Sequence, residues 1–98
     1  MSKLTNKQIR HLRGLAHDLK PVVIVGDKGL TESVIEETLV ALNAHELIKI
    51  KIRAEEREER EQMIEKLTQK TKASFIQRVG HVVTLFKRNK DAKIALPK

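Results

Sequence analysis

Hydrophobic positions change spacing several times along this 98-residue chain, and each change marks an element. Ile9, Leu12, Leu15, Ala16 and Leu19 recur at helical intervals and share one face. Thr5 and Gln8, three residues apart, form a capping-box signal just before them. Lys7, Arg10, His11, Gly14 and His17 fall on the opposite face, so the pattern predicts an amphipathic helix with a basic outer side, ending before Pro21. Pro21 to Val25 is wholly apolar and β-branched after the proline, which predicts a strand buried on both faces. Thr31 caps a second helix running to about Ala44, with Val34, Ile35, Leu39 and Leu42 inward.

From Leu47 to Arg53 the period drops to two. Ile48, Ile50 and Ile52 face one way and Lys49, Lys51 and Arg53 the other, predicting a half-exposed strand with a basic outer face. A third helix is expected from about Glu55 to Lys72, with an inner stripe of Met63, Ile64, Leu67 and Thr71 and a Glu56–Arg60 pair one turn apart. Ala73 to Val79 and His81 to Lys87 read as strands hinged at Gly80. Phe75 and Phe86 sit in these apolar runs and are expected in the core. Residues 89–98 read as a basic tail with little to pack. The order αβαβαββ predicts a single α/β domain with a mixed four-stranded sheet. Its first strands are parallel through a right-handed crossover, its last two form a hairpin, and the first helix covers the face opposite the other two.

Charge adds a second pattern. The net formal charge is +7, but residues 1–30 carry +4, residues 54–66 carry −3 and residues 67–98 carry +7. The folded chain should therefore be electrically two-sided, with a basic side suited to a polyanion. Two phenylalanines are the only aromatic residues, so a nucleic-acid ligand would be held through phosphates, sugars and shape rather than by base stacking.

Several classes of chemistry find no support. Without cysteine there is no disulfide scaffold, thiolate metal site or thiol nucleophile. The longest apolar runs are four residues, far short of the roughly 20 that span a bilayer. The first residues lack the apolar stretch of a secretory signal, and a soluble cytoplasmic protein is expected. His11, His17, His45 and His81 form no HxxxH pair, and no serine sits in a nucleophile elbow, so neither a metal nor a catalytic centre is expected.

The sharpest local feature is Gly26-Asp27-Lys28-Gly29, between a strand and a helix N-terminus. It lacks the spacing of a Walker loop or a GxGxxG fingerprint. Two glycines there permit positive φ and close approach of a backbone, and the helix amides that follow favour a phosphate. The same spacing is also what an ordinary turn would use.

The segments Leu12-Arg-Gly-Leu-Ala-His17, Lys20-Pro-Val-Val-Ile-Val-Gly-Asp-Lys-Gly-Leu-Thr31, His45-Glu-Leu-Ile-Lys-Ile-Lys-Ile52 and Gly80 to Arg88 together resemble the CRM domain, of the stand-alone bacterial YhbY type. The resemblance spans nearly the whole chain. It implies a fold similar to the C-terminal domain of translation initiation factor three, RNA binding, and association with precursors of the large ribosomal subunit. It also implies that Gly26, Asp27, Lys28 and Gly29 contact RNA. Arg10, Arg13 and His17, with Lys20 at the helix end, are expected to extend that surface. Lys49, Lys51 and Arg53, or the tail from Lys87 and Arg88 onward, would add a second patch. The expectation is a non-enzymatic RNA-binding protein without a cofactor, membrane contact or small-molecule substrate. The alternative is an adaptor that docks on ribosomal proteins.

Overall fold

The computed structural model describes residues 4–97. Seven elements follow in the expected order: α1 (Asn6–Ala16), β1 (Pro21–Val25), α2 (Glu32–His45), β2 (Leu47–Ile52), α3 (Arg57–Thr71), β3 (Ser74–Val79) and β4 (Val82–Phe86). The start of α1 is a full capping box. The Gln8 amide donates to Thr5 Oγ1 at 3.1 Å and the Thr5 amide to Gln8 Oε1 at 3.0 Å. Thr31 caps α2 in the simpler way, accepting from the Val34 amide.

The strands lie in the order β1-β2-β4-β3. β1 and β2 are parallel, joined by α2, while β4 runs antiparallel to both β2 and β3. One face of the sheet carries Val23, Val25, Ile48, Ile50, Ile52, Val83 and Leu85, which form a core with α2 and α3. The other face is covered by α1, whose Leu12 and Ala16 pack on Leu47, Ile76 and Phe86. The alternation of Leu47 and Ile48 thus divides one strand between two separate cores.

Four expectations change. β1 is not buried on both faces: Val22 and Ile24 are each 50% exposed. It is an edge strand, and α1 packs across β2 and β3 instead of over it. Leu15 and Leu19 are also half-exposed, because α1 ends at Ala16 and both line an open groove with Val22, His45 and Ile94. Phe86 is core, but Phe75 is 48% exposed. Phe75 and Ile76 face opposite sides of β3: Ile76 fills the α1-side core, and Phe75 lies at the sheet margin beside α3, where the strand register shifts after it. The Glu56–Arg60 pair does not form. Arg60 instead donates to the carbonyls of Ala54 and Glu55, both at 2.8 Å, and the ion pair on this helix is Arg57–Glu61.

The segment after β4 packs far more than its charge suggested. Ile94 and Leu96 join the α1 core. The carbonyls of Ala95 and Pro97 bond the His11 ring and the Gln8 side chain. Two apolar residues among the lysines suffice to seat it, because α1 alone leaves that core open.

Candidate nucleic-acid interface

The Gly26–Gly29 loop leaves the carboxyl end of β1 as a tight turn, the Gly29 amide donating to Gly26 O at 3.0 Å. Of its two glycines only Gly29 needs positive φ, at 76°. A Cβ there would meet Met63 Cε at 3.5 Å, whereas one at Gly26 would meet nothing within 4 Å. Asp27 and Lys28 stand exposed at the tip. Beyond them, Thr31 Oγ1 takes the Val34 amide of α2, while the amides before it lie outside the helical ladder and favour negative charge. Asp27 and Glu32 flank the single cation Lys28, so the loop offers amides more than surplus charge.

The positive charge comes from the neighbours. The Arg53 amide donates to Val25 O at 3.0 Å, which places Arg53 at the root of the loop. Lys49 and Lys51 alternate with the buried isoleucines of β2 and therefore share the sheet face with α1. Lys49 lies beside His17, Gln77 and Thr84 on the part of that face which α1 leaves open. Arg13 crosses from α1 to β3, its Nε donating to Gln77 Oε1 at 3.1 Å. Arg10, Arg13, His17 and Lys51 are all exposed. The fold thus brings the first-helix and second-strand cations onto one face, with the glycine loop at its end.

Lys20, Lys87 and Arg88 lie elsewhere. They sit at the opposite end of the strands, because β1 and β2 begin where β4 finishes. Arg88 is already engaged. Its Nη1 donates to Ile94 O and lies 3.6 Å from Glu46 Oε1, and its guanidinium is 5.9 Å from the centroid of the Phe86 ring. Lys87 is half-buried, its amide donating to Glu46 O.

Glu46 is a residue that sequence reasoning missed. Its side chain is fully buried. Its carboxylate accepts from the amides of Asn89, Lys93 and Ile94 at 2.7–2.8 Å. Burial pushes its pKa up, but the three amides and Arg88 outweigh this and hold it below the ordinary carboxylate range. No local signal marks it, since in sequence it is one more glutamate between a helix and a strand. Lys90 and Lys93 stand exposed in the segment that follows, which the sequence marked only as part of a basic tail.

The side made by α2 and α3 has the reverse character. Glu55, Glu56, Glu58, Glu59, Glu61 and Glu65 are all exposed there. Among the described residues, no three His, Asp or Glu side chains converge to hold a metal ion.

Comparison with known proteins agrees with this architecture. The chain is 45% identical over 98 residues to a Haemophilus influenzae protein named as an RNA-binding protein, covering all of this chain and 99% of the relative. It is 36% identical over 95 residues to a Bacillus subtilis protein named a probable RNA-binding protein, covering 96% of this chain and 99% of that one. The solution structure of a Staphylococcus aureus hypothetical protein, described as a candidate RNA-binding protein, superposes with a TM-score of 0.85 at 31% identity, covering 97% of this chain and all of the other. The family model for the CRS1 / YhbY (CRM) domain matches residues 4–87, from the start of α1 through β4, and the chain belongs to that family.

Proposed function

We propose that this protein binds RNA without catalysing a reaction, and that its target is ribosomal RNA in a precursor of the large ribosomal subunit. The observation that carries the RNA reading is the clustering of Arg13, His17, Lys49 and Lys51 on one open sheet face that ends at the Gly26–Gly29 loop, while the carboxylates of α3 face away. The names of the relatives support it. The large-subunit target follows from the family resemblance. In this reading the loop amides and Lys28 hold one phosphate, and Arg10, Arg13, His17, Lys49, Lys51 and Arg53 carry the backbone across the sheet. Lys20 and Lys87 reach the strand at the far end.

The test is titration of fragments of large-subunit ribosomal RNA at several salt concentrations. Neutralising about four to six phosphates gives a slope of log affinity against log salt of roughly −3 to −5, and a flat dependence would sink the model. Gly26→Glu is the cleaner loop variant. It adds charge and volume where nothing is crowded and φ is ordinary, so it should melt like the parent and bind about tenfold more weakly. Gly29→Ala probes the turn instead. It should lose about 1 kcal/mol of stability through its positive φ while binding per folded molecule is kept. Gly26→Glu with parental affinity would remove the loop from the interface.

A further inference from the structure

Glu46 combines three unfavourable features. It is a carboxylate with a fully buried side chain. It is a non-glycine residue at φ 63°, ψ −44°, outside the left-handed helical basin. It occupies the position after a helix, in a conformation that only glycine reaches at little cost. Strain of this kind persists only where surrounding structure over-determines it. The helix end does not require a carboxylate. What requires it is the chain after β4: the amides of Asn89, Lys93 and Ile94 converge on its two oxygens, and Arg88 closes from the side. Asn89 completes the arrangement from the other direction. Its Nδ2 donates to Asn43 O at 2.8 Å, supplying a partner to one of the carbonyls that α2 leaves unpaired at its C-terminus.

The product is a loop over residues 88–94 held at both the α2 terminus and the α1 core. Within and beside it stand Lys87, Lys90 and Lys93. Lys90 and Lys93 are exposed, and neither is in an ion pair among the described residues. Lys20 and His45 line the groove that Ile94 enters from this loop, so the same end of the molecule gathers further basic side chains. The buried charge therefore fixes the backbone beneath the exposed side chains of Lys90 and Lys93.

We propose that Glu46 is a positioning residue for a second RNA contact, in which the loop it folds presents Lys90 and Lys93 as a preformed pair of phosphate ligands. This rests on the RNA-binding reading above. An ordered pair of cations loses less freedom on binding than two lysines on a loose tail, so a residue that never touches RNA raises affinity for it.

The experiment compares parent, Glu46→Gln, Glu46→Gly and Lys90→Ala/Lys93→Ala proteins, and the lysine pair combined with Glu46→Gln. The readouts are amide hydrogen exchange and titration of a fluorescent ribosomal RNA hairpin at several salt concentrations. Both Glu46 variants should free the amides of Asn89, Lys93 and Ile94 while β2 and β4 stay protected. Glu46→Gly should do so without the strain of positive φ, which separates loss of the clasp from misfolding. Both should bind about tenfold more weakly, with the salt slope shallower by roughly 1.5–2, the value for two phosphates. The lysine pair should lower affinity in the parent but cost nothing further in Glu46→Gln. Free amides with unchanged affinity, or a lysine effect of equal size in both backgrounds, overturns the proposal. Unchanged affinity for the lysine pair in the parent also overturns it, whatever the Glu46 variants do. A parent protein that binds no RNA overturns the RNA reading and this one with it; a parent that binds with a steep salt slope leaves only this one at stake.

Discussion

Gly29 and Glu46 both adopt positive φ, and the reasons differ. At Gly29 the chain needs a tight reversal beside Met63, and glycine supplies it at little cost. At Glu46 the conformation is strained, and three backbone amides hold the carboxylate in place. That difference makes Glu46 visible in acid. Its pKa is depressed in the folded state, so its contribution to stability is full above the ordinary glutamate value of about 4.3. It declines as pH falls through the lower folded value, where the carboxylate must be protonated and loses its acceptor role. Melting of the parent should therefore fall more steeply below about pH 5 than melting of Glu46→Gln. Parallel acid limbs for the two proteins would show that the amides do not hold the carboxylate as described. Such a residue is illegible in sequence because its partners lie 43 to 48 positions away.

At the scale of elements, the informative one is α1. Its capping box and apolar stripe were legible, and so was its placement opposite α2 and α3. Its reach was not. Leu12 and Ala16 are fully buried, but the helix stops before covering β1. The uncovered strip leaves Lys49 beside His17, with Lys51 further along the same face. Because the two cores lie on opposite sheet faces, damage to one should spare the other. Leu12→Ala should cost about 2–4 kcal/mol, lowering the melting temperature by roughly 10–20 °C. Hydrogen exchange should rise first in α1 and in the 94–97 segment packed on it, with Ile50 and Val83 protected to the end. Uniform loss of protection would mean that the two cores unfold as one. β3 teaches the same lesson in reverse. Its register shift puts both Ile76 and Gln77 on the α1 side and leaves Phe75 on the other, at the sheet margin, and an unbroken period-two reading of the strand cannot foresee that.

For the whole molecule, the arrangement of charge matters more than its total. The +7 is a surplus concentrated on one face and the far end of the sheet, with the exposed glutamates of α3 on the other side. A charge map of this kind steers a polyanion and fixes which side it meets. Replacing Glu55, Glu58 and Glu59 by Gln should leave RNA affinity undiminished and raise the association rate at low salt by roughly 2–5-fold. A marked loss of affinity with an unchanged melting curve would place the RNA on the α3 side.

The seven elements, their order, the parallel pair, the closing hairpin and the two-sided charge can all be read along the chain. Those features rest on local periodicity, caps and chain connectivity, which are written in neighbouring residues. Long-range packing puts β1 at an edge, stops α1 short of it, and sets Lys49 beside His17 while Lys87 and Arg88 lie at the other end. It also decided that the basic terminal segment is folded in place on Glu46. Each of these depends on contacts between residues far apart in the chain, where packing area and hydrogen-bond partners are settled by the fold as a whole and no local pattern carries the information.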